Sequence, residues 1–469
     1  MDKGLRAFFV NVNGALDDSD PRRAFMGMFA LCGAVGVALW ALFGTGSGEN
    51  GIFLNHHLPM AQWINGQGIR HVLTYPLWGY PALLALVPRW SVVPLQIGLG
   101  AMALAAIWVR TRAVIPRAGW LKVLLLLALP WHALALSQWS MAPAMSLGVL
   151  GVVGFERALR TSRAGQAVMA GVAFGAALNV RSELLLWTVG CIVCGVQFAM
   201  RAERSRRTWK PLLTFVATVA LCLAPWALWY RAHTGRTSLV SSNGGMVAYL
   251  SLGQLPGNPW GIVADDAFAV AFLRARADGV DPVSDAGDQR FAAAFRDAIR
   301  EHPGAFARKI LHNGRNAVLG GFHVGEVPLD ADERVALDVV KERIKLAAGL
   351  NPNQAEIAQY KAQGVWENAR LSGRGVFAVA FQASGVLLGA LFLGMMGVGL
   401  CAALPRWRKE PWLVLLASVV VLQLASVALF QYQPRHVNVL SVVGAPFVVL
   451  GVDAAGRLIR RVAARKRAV

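Results

Sequence analysis

The sequence predicts an all-α membrane protein that crosses the bilayer about ten times, and three observations support this prediction. Apolar residues make up 56% of the 469 residues and charged residues only 15%, which is typical of integral membrane proteins. The apolar residues gather into runs close to the roughly 20 residues that a helix needs to cross a bilayer. The formal charge of +20 lies mostly at the ends of these runs, so nucleic-acid binding is not indicated.

The apolar runs divide the chain into regions of different character. The predicted spans are 25–44, 91–109, 120–136, 143–158, 166–180, 184–200, 211–229, 375–404, 411–430 and 437–455. Basic clusters fall on alternate loops, and the positive-inside rule then places both termini in the cytoplasm. The predicted regions are a cytoplasmic N-terminus (1–24), a transmembrane core (25–230) with a first external loop (45–90), an external domain (231–373), C-terminal transmembrane helices (374–455) and a basic cytoplasmic tail (456–469).

The first external loop is too polar for a membrane span and too apolar for an ordinary surface loop. It carries one carboxylate, Glu49, two adjacent histidines, His56 and His57, and a run rich in proline and aromatic residues from 75 to 81. An ionisable group beside a bilayer is a candidate for function by default. We therefore expect a juxtamembrane or re-entrant helix in the aromatic run and a functional role for the carboxylate.

Residues 231–373 carry 16 basic and 16 acidic side chains, a balance that predicts a solvated and mostly helical domain. Ser284 is a predicted helix cap, and Phe291 lies on the apolar face of the helix that it begins, which should end near Pro303. Further helical runs follow at 304–318, 331–348 and 353–370. The preceding stretch, 238–261, is rich in Gly, Asn and Pro, which predicts loops and short strands.

Five arginines lie at the external ends of spans, against the usual preference of basic residues for the cytoplasmic side. They are Arg70, Arg89, Arg181, Arg374 and Arg435. The membrane region has only two carboxylates on this side, Glu49 and Glu183. Arginine binds phosphate through a planar fork of donors, and a carboxylate can accept a proton from an attacking hydroxyl. This pattern favours a site that holds an anionic lipid headgroup beside a carboxylate that acts on a second molecule.

Structural alternatives stay open for these residues. Arg89 and Arg374 are typical of side chains that extend to the interface or pair with backbone carbonyls. Arg181 and Glu183 are close enough in sequence to form an ion pair with a purely structural role. The adjacent histidines and the carboxylate of the first loop could ligate a metal, but neighbouring side chains point in different directions on a helix, so no metal is favoured.

Several short motifs follow one another over nearly the whole chain. They are Glu49 after the first span, Tyr75-Pro76-Leu77, a Gly-rich span followed by Arg181-Ser182-Glu183, Pro225-Trp226 with Arg231 and Gly235, Ser242-Asn243-Gly244-Gly245, Gly253-Gln254 and Arg435-His436. In this order they resemble the polytopic GT-C glycosyltransferases, specifically the bacterial branch similar to the protein O-mannosyltransferases and the lipid A aminoarabinose transferase.

The resemblance implies transfer of a sugar from a polyprenyl-phosphate donor to a hydroxyl of a lipid, glycan or protein, with inversion. It places this activity on the periplasmic face of the bacterial inner membrane and requires no cofactor and no nucleic acid. It implies that Glu49 is the general base and that Arg435, with Arg181 or Arg231 and the neighbouring His436, holds the donor phosphate. Further candidates for substrate binding are His56, His57, Tyr75, Trp78, Glu183 and Asn243.

The chain departs from the family pattern in two places. Many members have Asp where this chain has Glu49, and many have an acidic residue in the next external loop, which here reads Ser137 to Pro143 without one. The missing acid disfavours metal assistance and leaves a non-catalytic relative as one alternative. A transporter of lipid-linked sugars is another, although it would be expected to have charged or broken spans near mid-membrane.

Overall fold

The computed structural model is built from helices throughout the part of the chain that it describes. The described residues are 20–44, 57–67, 77–115, 118–137, 139–201, 205–275, 279–322, 329–347, 354–407 and 410–467. We find no β-strand among them, and several helices are long and apolar enough to cross a membrane. The predicted class, an all-α polytopic membrane protein, is therefore confirmed.

The first half of the described chain forms a series of helices. They are α1 (Pro21–Phe43), α2 (Leu58–Ile64), α3 (Gly79–Leu86), α4 (Val92–Arg112), α5 (Ala118–Leu126), α6 (Leu129–Leu136), α7 (Met141–Thr161), α8 (Ala164–Val180), α9 (Leu185–Arg201) and α10 (Ser205–Thr234). The short helix α3 occupies the position expected for the juxtamembrane helix. Three predicted site residues of the first loop, Glu49, His56 and Tyr75, lie outside the described residues.

Residues 235–372, which we call the polar segment, contain further helices. They are α11 (Gly244–Ser251), α12 (Asp266–Arg274), α13 (Asp285–Glu301), α14 (Pro303–Leu319), α15 (Ala331–Ala347), α16 (Gln354–Ala362) and α17 (Val365–Asn368). As predicted, Ser284 caps α13, because its hydroxyl accepts a hydrogen bond from the Gly287 amide at 3.1 Å. The predicted helical run at 353–370 is divided at Gly364, whose φ of 70° ends α16.

The prediction of loops and short strands for residues 238–261 is wrong in part, because α11 forms within them. This helix begins with two glycines, but its apolar side chains are buried against α13, and the rings of Tyr249 and Phe291 lie 5.7 Å apart. A Cβ on Gly245 would lie 2.2 Å from the Asp288 carbonyl oxygen, so this close approach requires glycine. Tertiary packing thus overrides the low helix propensity of glycine.

The chain returns to the bundle with five helices. They are α18 (Gly373–Ala403), α19 (Pro411–Leu429), α20 (Pro434–Val437), α21 (Leu440–Val443) and α22 (Ala445–Arg467). A Cβ on Gly399 of α18 would lie 1.6 Å from the Phe447 carbonyl oxygen of α22, so small residues allow these helices to pack closely. We call the end of the bundle at Thr234 and Gly373, where the polar segment leaves and re-enters it, the upper end.

The described helices account for the predicted spans to different degrees. Seven helical stretches are long and apolar enough to cross a membrane, and an eighth results if the bent pair Arg435–Val443 and Ala445–Ala464 is one span. The predicted spans 120–136 and 166–180 correspond to apolar helices of 10–17 residues, below the length that a span usually needs. The first of these is broken between α5 and α6, where Pro130 cannot continue a helix from the preceding turn.

Candidate functional site

Three turns of the chain meet at the upper end of the bundle. One precedes α7 and contains Trp139 and Ser140, the second joins α8 to α9 at 181–184, and the third joins α19 to α20 at 430–433. Because α8 and α19 end at the upper end and α7 and α9 begin there, the polar residues at their ends come together. This convergence defines the candidate site.

The second turn places Arg181 and Glu183 side by side. Helix α8 ends at Val180 because the backbone of Arg181 is extended (φ −148°, ψ 118°), and the 3-10 turn Ser182–Leu184 follows. The guanidinium donates to both carboxylate oxygens, from Nε to Oε1 at 3.1 Å and from Nη2 to Oε2 at 3.0 Å. Its Nη1 donates to the Ser140 hydroxyl at 3.3 Å, which connects the second turn to the first. The ion pair considered as an alternative on sequence grounds is therefore formed.

The third turn leads directly into Arg435 and His436 at the start of α20. The guanidinium carbon of Arg435 lies 4.9 Å from the centre of the Trp139 ring, which is a cation–π contact. Glu183 interacts electrostatically with Arg435 and His436 as well as with Arg181. We call these four charged or titratable residues, together with Trp139 and Ser140, the upper cluster.

Buried hydrogen bonds hold the backbone at His436. Its carbonyl oxygen accepts from Nε2 of Gln423 at 2.8 Å, and Oε1 of Gln423 accepts from the indole nitrogen of Trp187 at 2.9 Å. The imidazole Nε2 of His436 is buried and has no hydrogen-bond partner within the described residues. Sequence reasoning missed Gln423, although a lone buried amide in the apolar helix α19 is the kind of signal by which it could have been found.

The upper cluster carries more positive than negative charge. Two guanidinium groups lie near one carboxylate, and the side chains of Arg181 and Glu183 are 25% and 21% exposed, so these two side chains are partly accessible from outside the protein. Charge-assisted hydrogen bonds from such groups hold phosphate or carboxylate anions. Two guanidiniums, one carboxylate and one imidazole therefore suit an anion better than a metal ion.

Sequence reasoning also missed Trp139 and Ser140. Both belong to the loop from Ser137 to Pro143, in which the sequence pattern drew attention only to the absence of an acidic residue. The structure shows what this loop contributes instead, namely an indole face for Arg435 and a hydroxyl for Arg181. Neither role has a sequence signature, since both depend on turns that are distant along the chain.

The described end of the Tyr75-Pro76-Leu77 motif lies next to the upper cluster. A Cβ on Gly79 would lie 2.7 Å from the carbonyl carbon of Asn179, so α3 packs directly on the last turn of α8, two residues before Arg181. Trp78 packs against Trp229 of α10, with 5.1 Å between ring centres. The structure therefore gives Trp78 a packing role beside the candidate site.

Three other predicted residues lie in different surroundings. His57 is buried against the Tyr80 ring, with 5.0 Å between ring centres. Arg231 is exposed near the end of α10, and we find no hydrogen bond or ion pair of its side chain within the described residues. The side chain of Asn243 accepts from the Ser241 hydroxyl at 2.7 Å, at the start of α11. None of these contacts joins the three residues to the upper cluster.

Within the described residues, no group of three or more His, Cys, Asp or Glu side chains is placed to hold a metal ion. Of the metal ligands considered on sequence grounds, only His57 lies in the described part of the chain. That alternative therefore stays a prediction.

No family model matches the chain, and no curated protein or solved structure shows a significant match to it. The resemblance to GT-C glycosyltransferases accordingly rests on the sequence motifs.

Proposed function

We propose that the chain is an inverting integral-membrane glycosyltransferase that moves a sugar from a polyprenyl phosphate to a hydroxyl of a lipid, glycan or protein. The upper cluster is the observation that supports this proposal, because it gathers Arg181, Arg435 and His436 around Glu183 at the ends of apolar helices. Guanidinium groups in that position suit the phosphate of a lipid anchored in the same bilayer. The distribution of basic residues supports an external position for the upper end, and the resemblance implies that this is the periplasmic face of the bacterial inner membrane.

The contacts of the two arginines suggest different roles for them. Arg181 is bound by both oxygens of Glu183, so we assign it to orienting the cluster. Arg435 stacks on the Trp139 ring, which orients the guanidinium, and we assign to it the main contact with the donor phosphate. The buried Nε2 of His436 is suited to a further hydrogen bond with the same group.

In the proposed reaction one displacement takes place at the anomeric carbon of the sugar. Glu49 accepts the proton of the attacking hydroxyl, whose oxygen forms the new glycosidic bond. The bond between the anomeric carbon and the phosphate oxygen breaks, and the lipid phosphate leaves with the bonding electron pair. Arg435 stabilises the negative charge that develops on this leaving group. Attack from the side opposite the phosphate inverts the anomeric configuration.

A transfer assay in proteoliposomes with a radiolabelled polyprenyl-phosphate sugar tests the proposal. We expect Glu49→Gln to abolish transfer while donor binding persists, and Arg435→Ala to weaken donor binding at least about tenfold because a charge-assisted contact is lost. Arg374 is an exposed arginine at the start of α18, so Arg374→Gln is the matched control and should stay active. If the wild type moves no label from several donors, the enzyme class is wrong, and an active Glu49→Gln variant would remove the assigned base.

The second candidate function is transport of lipid-linked sugars across the membrane. One observation favours it, because Arg435–Val443 and Ala445–Ala464 form a pair bent by 61°, with Arg435 at its upper end. Broken helices are typical of substrate sites in secondary transporters. In sealed liposomes without acceptor, a transporter would equalise a labelled donor between the two leaflets, whereas a transferase would leave it where it was added. A non-catalytic relative would bind the donor and do neither.

A further inference from the structure

Gln254, at the end of the 3-10 turn Leu252–Gln254, is hydrogen-bonded to the backbone of Tyr432 in both directions. Its Nε2 donates to the Tyr432 carbonyl oxygen at 2.9 Å, and its Oε1 accepts from the Tyr432 amide at 3.0 Å. The same oxygen accepts from Nδ2 of Asn313, a fully buried residue of α14, at 2.9 Å. One side chain of the polar segment thus binds both backbone groups of Tyr432, in the turn that leads into Arg435.

Helix α14 holds the same turn at other points. Nζ of the fully buried Lys309 donates to the carbonyl oxygens of Leu429 and Phe430 at 2.6 and 2.5 Å. Carbonyls at the end of a helix such as α19 have no partner within the helix itself, so a side-chain donor satisfies them. Just after α14, a Cβ on Gly320 would lie 1.8 Å from the Tyr432 hydroxyl oxygen, so this ring fits only against glycine.

The turn is anchored on both sides of Arg435 by different parts of the molecule. Gln254 of the polar segment binds the backbone amide and carbonyl of Tyr432, whereas Gln423 of the helix bundle binds the carbonyl oxygen of His436. Only three residues lie between these two anchors, and one of them is a proline with restricted φ. The position of the Arg435 backbone therefore depends on both anchors.

We propose that Gln254 is a positioning residue of the upper cluster. By holding the backbone of Tyr432 it sets the position of Arg435 and thereby the affinity for an anionic lipid headgroup. This inference rests on the proposed function, since it takes a polyprenyl phosphate as the anion. Hydrogen bonds to a neutral peptide contribute modestly to stability, whereas a guanidinium–phosphate contact depends strongly on geometry. The effect of Gln254 on anion affinity therefore exceeds its effect on stability.

The chain offers a matched control for this inference. Asn258 makes the same reciprocal pair of hydrogen bonds with the backbone of one residue, from its Nδ2 to the Ile262 carbonyl oxygen at 3.0 Å and from the Ile262 amide to its Oδ1 at 3.1 Å. Both partners belong to the polar segment, so Asn258→Leu removes an equivalent pair of hydrogen bonds without changing the contacts of the 430–433 turn.

The experiment compares the wild type, Gln254→Leu, Gln254→Glu and Asn258→Leu in nanodiscs of neutral lipid. It measures backbone hydrogen exchange of residues 429–437 and the Kd for a polyprenyl monophosphate. We expect Gln254→Leu to speed exchange there and to weaken binding about tenfold. Gln254→Glu keeps the acceptor for the Tyr432 amide but loses the donor, so it should give intermediate values. Asn258→Leu should match the wild type in both quantities.

The role of Gln254 would be overturned by exchange that does not change in Gln254→Leu, or by faster exchange with an unchanged Kd. If Gln254→Leu and Asn258→Leu lose the same affinity, the cause is general destabilisation, and the positioning role of Gln254 is overturned as well. A wild-type chain that binds no polyprenyl monophosphate contradicts the proposed function and the affinity effect with it. In that case the exchange measurement still decides separately whether Gln254 holds the turn.

Discussion

Arg435 stacks on Trp139, with 4.9 Å between the guanidinium carbon and the centre of the indole ring. The two residues come from distant parts of the chain, and they meet because α7 begins where α19 ends. The guanidinium also interacts electrostatically with Glu183, and the aromatic face orients it. Such a contact is worth roughly 0.5–2 kcal/mol.

This stack leads to a prediction for binding. Trp139→Ala should weaken the binding of a polyprenyl monophosphate about fivefold to tenfold, because the guanidinium loses the surface that orients it. Trp139→Phe should keep most of the affinity, since a smaller ring still offers a face. Titration calorimetry in detergent micelles measures the affinities of both variants. The control is Trp120→Ala, which removes a 68% exposed indole. An Ala variant that binds like the wild type would rule out the orienting role.

The ion pair between Arg181 and Glu183 predicts a strong energetic coupling. Arg181→Met leaves a largely buried carboxylate without its bidentate partner and should lower the free energy of unfolding by about 1–3 kcal/mol. The double variant Arg181→Met with Glu183→Leu should recover part of this loss, giving a coupling energy of about 1 kcal/mol or more. Unfolding of the four proteins in mixed micelles provides the cycle. Strictly additive losses would mean that the pair contributes nothing of its own.

The buried amide of Gln423 predicts a loss of both stability and binding. Gln423→Leu leaves the Trp187 indole and the His436 carbonyl without their partner, which should cost about 1–3 kcal/mol of unfolding free energy. Anion affinity should also fall, because the anchor after Arg435 is lost.

The control for this variant is Gln96→Leu. Gln96 is equally buried and donates to the carbonyl oxygens of Ala135 and Ser137 at 3.1 and 2.8 Å, away from the 430–433 turn. We expect a similar loss of stability with unchanged Kd for a polyprenyl monophosphate. If both variants lose affinity alike, the specific role of Gln423 is excluded.

Lys309 predicts a pH-dependent stability. Burial lowers the pKa of Lys309 to about 7 from the ordinary value of 10.5. Between these two values the unfolded chain binds one proton more than the folded chain at this site, so stability must increase as pH rises through this window. The stability of the wild type relative to Lys309→Met should therefore increase by up to about 1.4 kcal/mol per pH unit from pH 7 to pH 10. Unfolding curves at several pH values check this, and a difference that stays constant or falls would contradict it.

Local patterns were sufficient to predict several elements of the fold. The cap at Ser284 and the apolar face with Phe291 identified α13, because capping and helical periodicity act within one or two turns. Composition and the length of apolar runs identified the membrane class, because both can be read from the sequence without any tertiary contact. Helix α11 was not predicted, because its buried contacts with α13 outweigh the composition of its sequence. The division at Pro130 was not predicted, because composition averaged over a window does not show a local helix break.

The candidate site shows a similar division. Hydropathy places Arg181, Glu183, Arg435 and His436 at the ends of apolar helices, since charge is excluded from the middle of a span. Their assembly into one cluster, with Trp139 and Ser140 around them and with Gln254 and Gln423 on either side of Arg435, follows from the packing of the folded chain. Periodicity and hydropathy describe which face or end of a helix is polar, whereas the packing of one helix against another decides which of those ends meet.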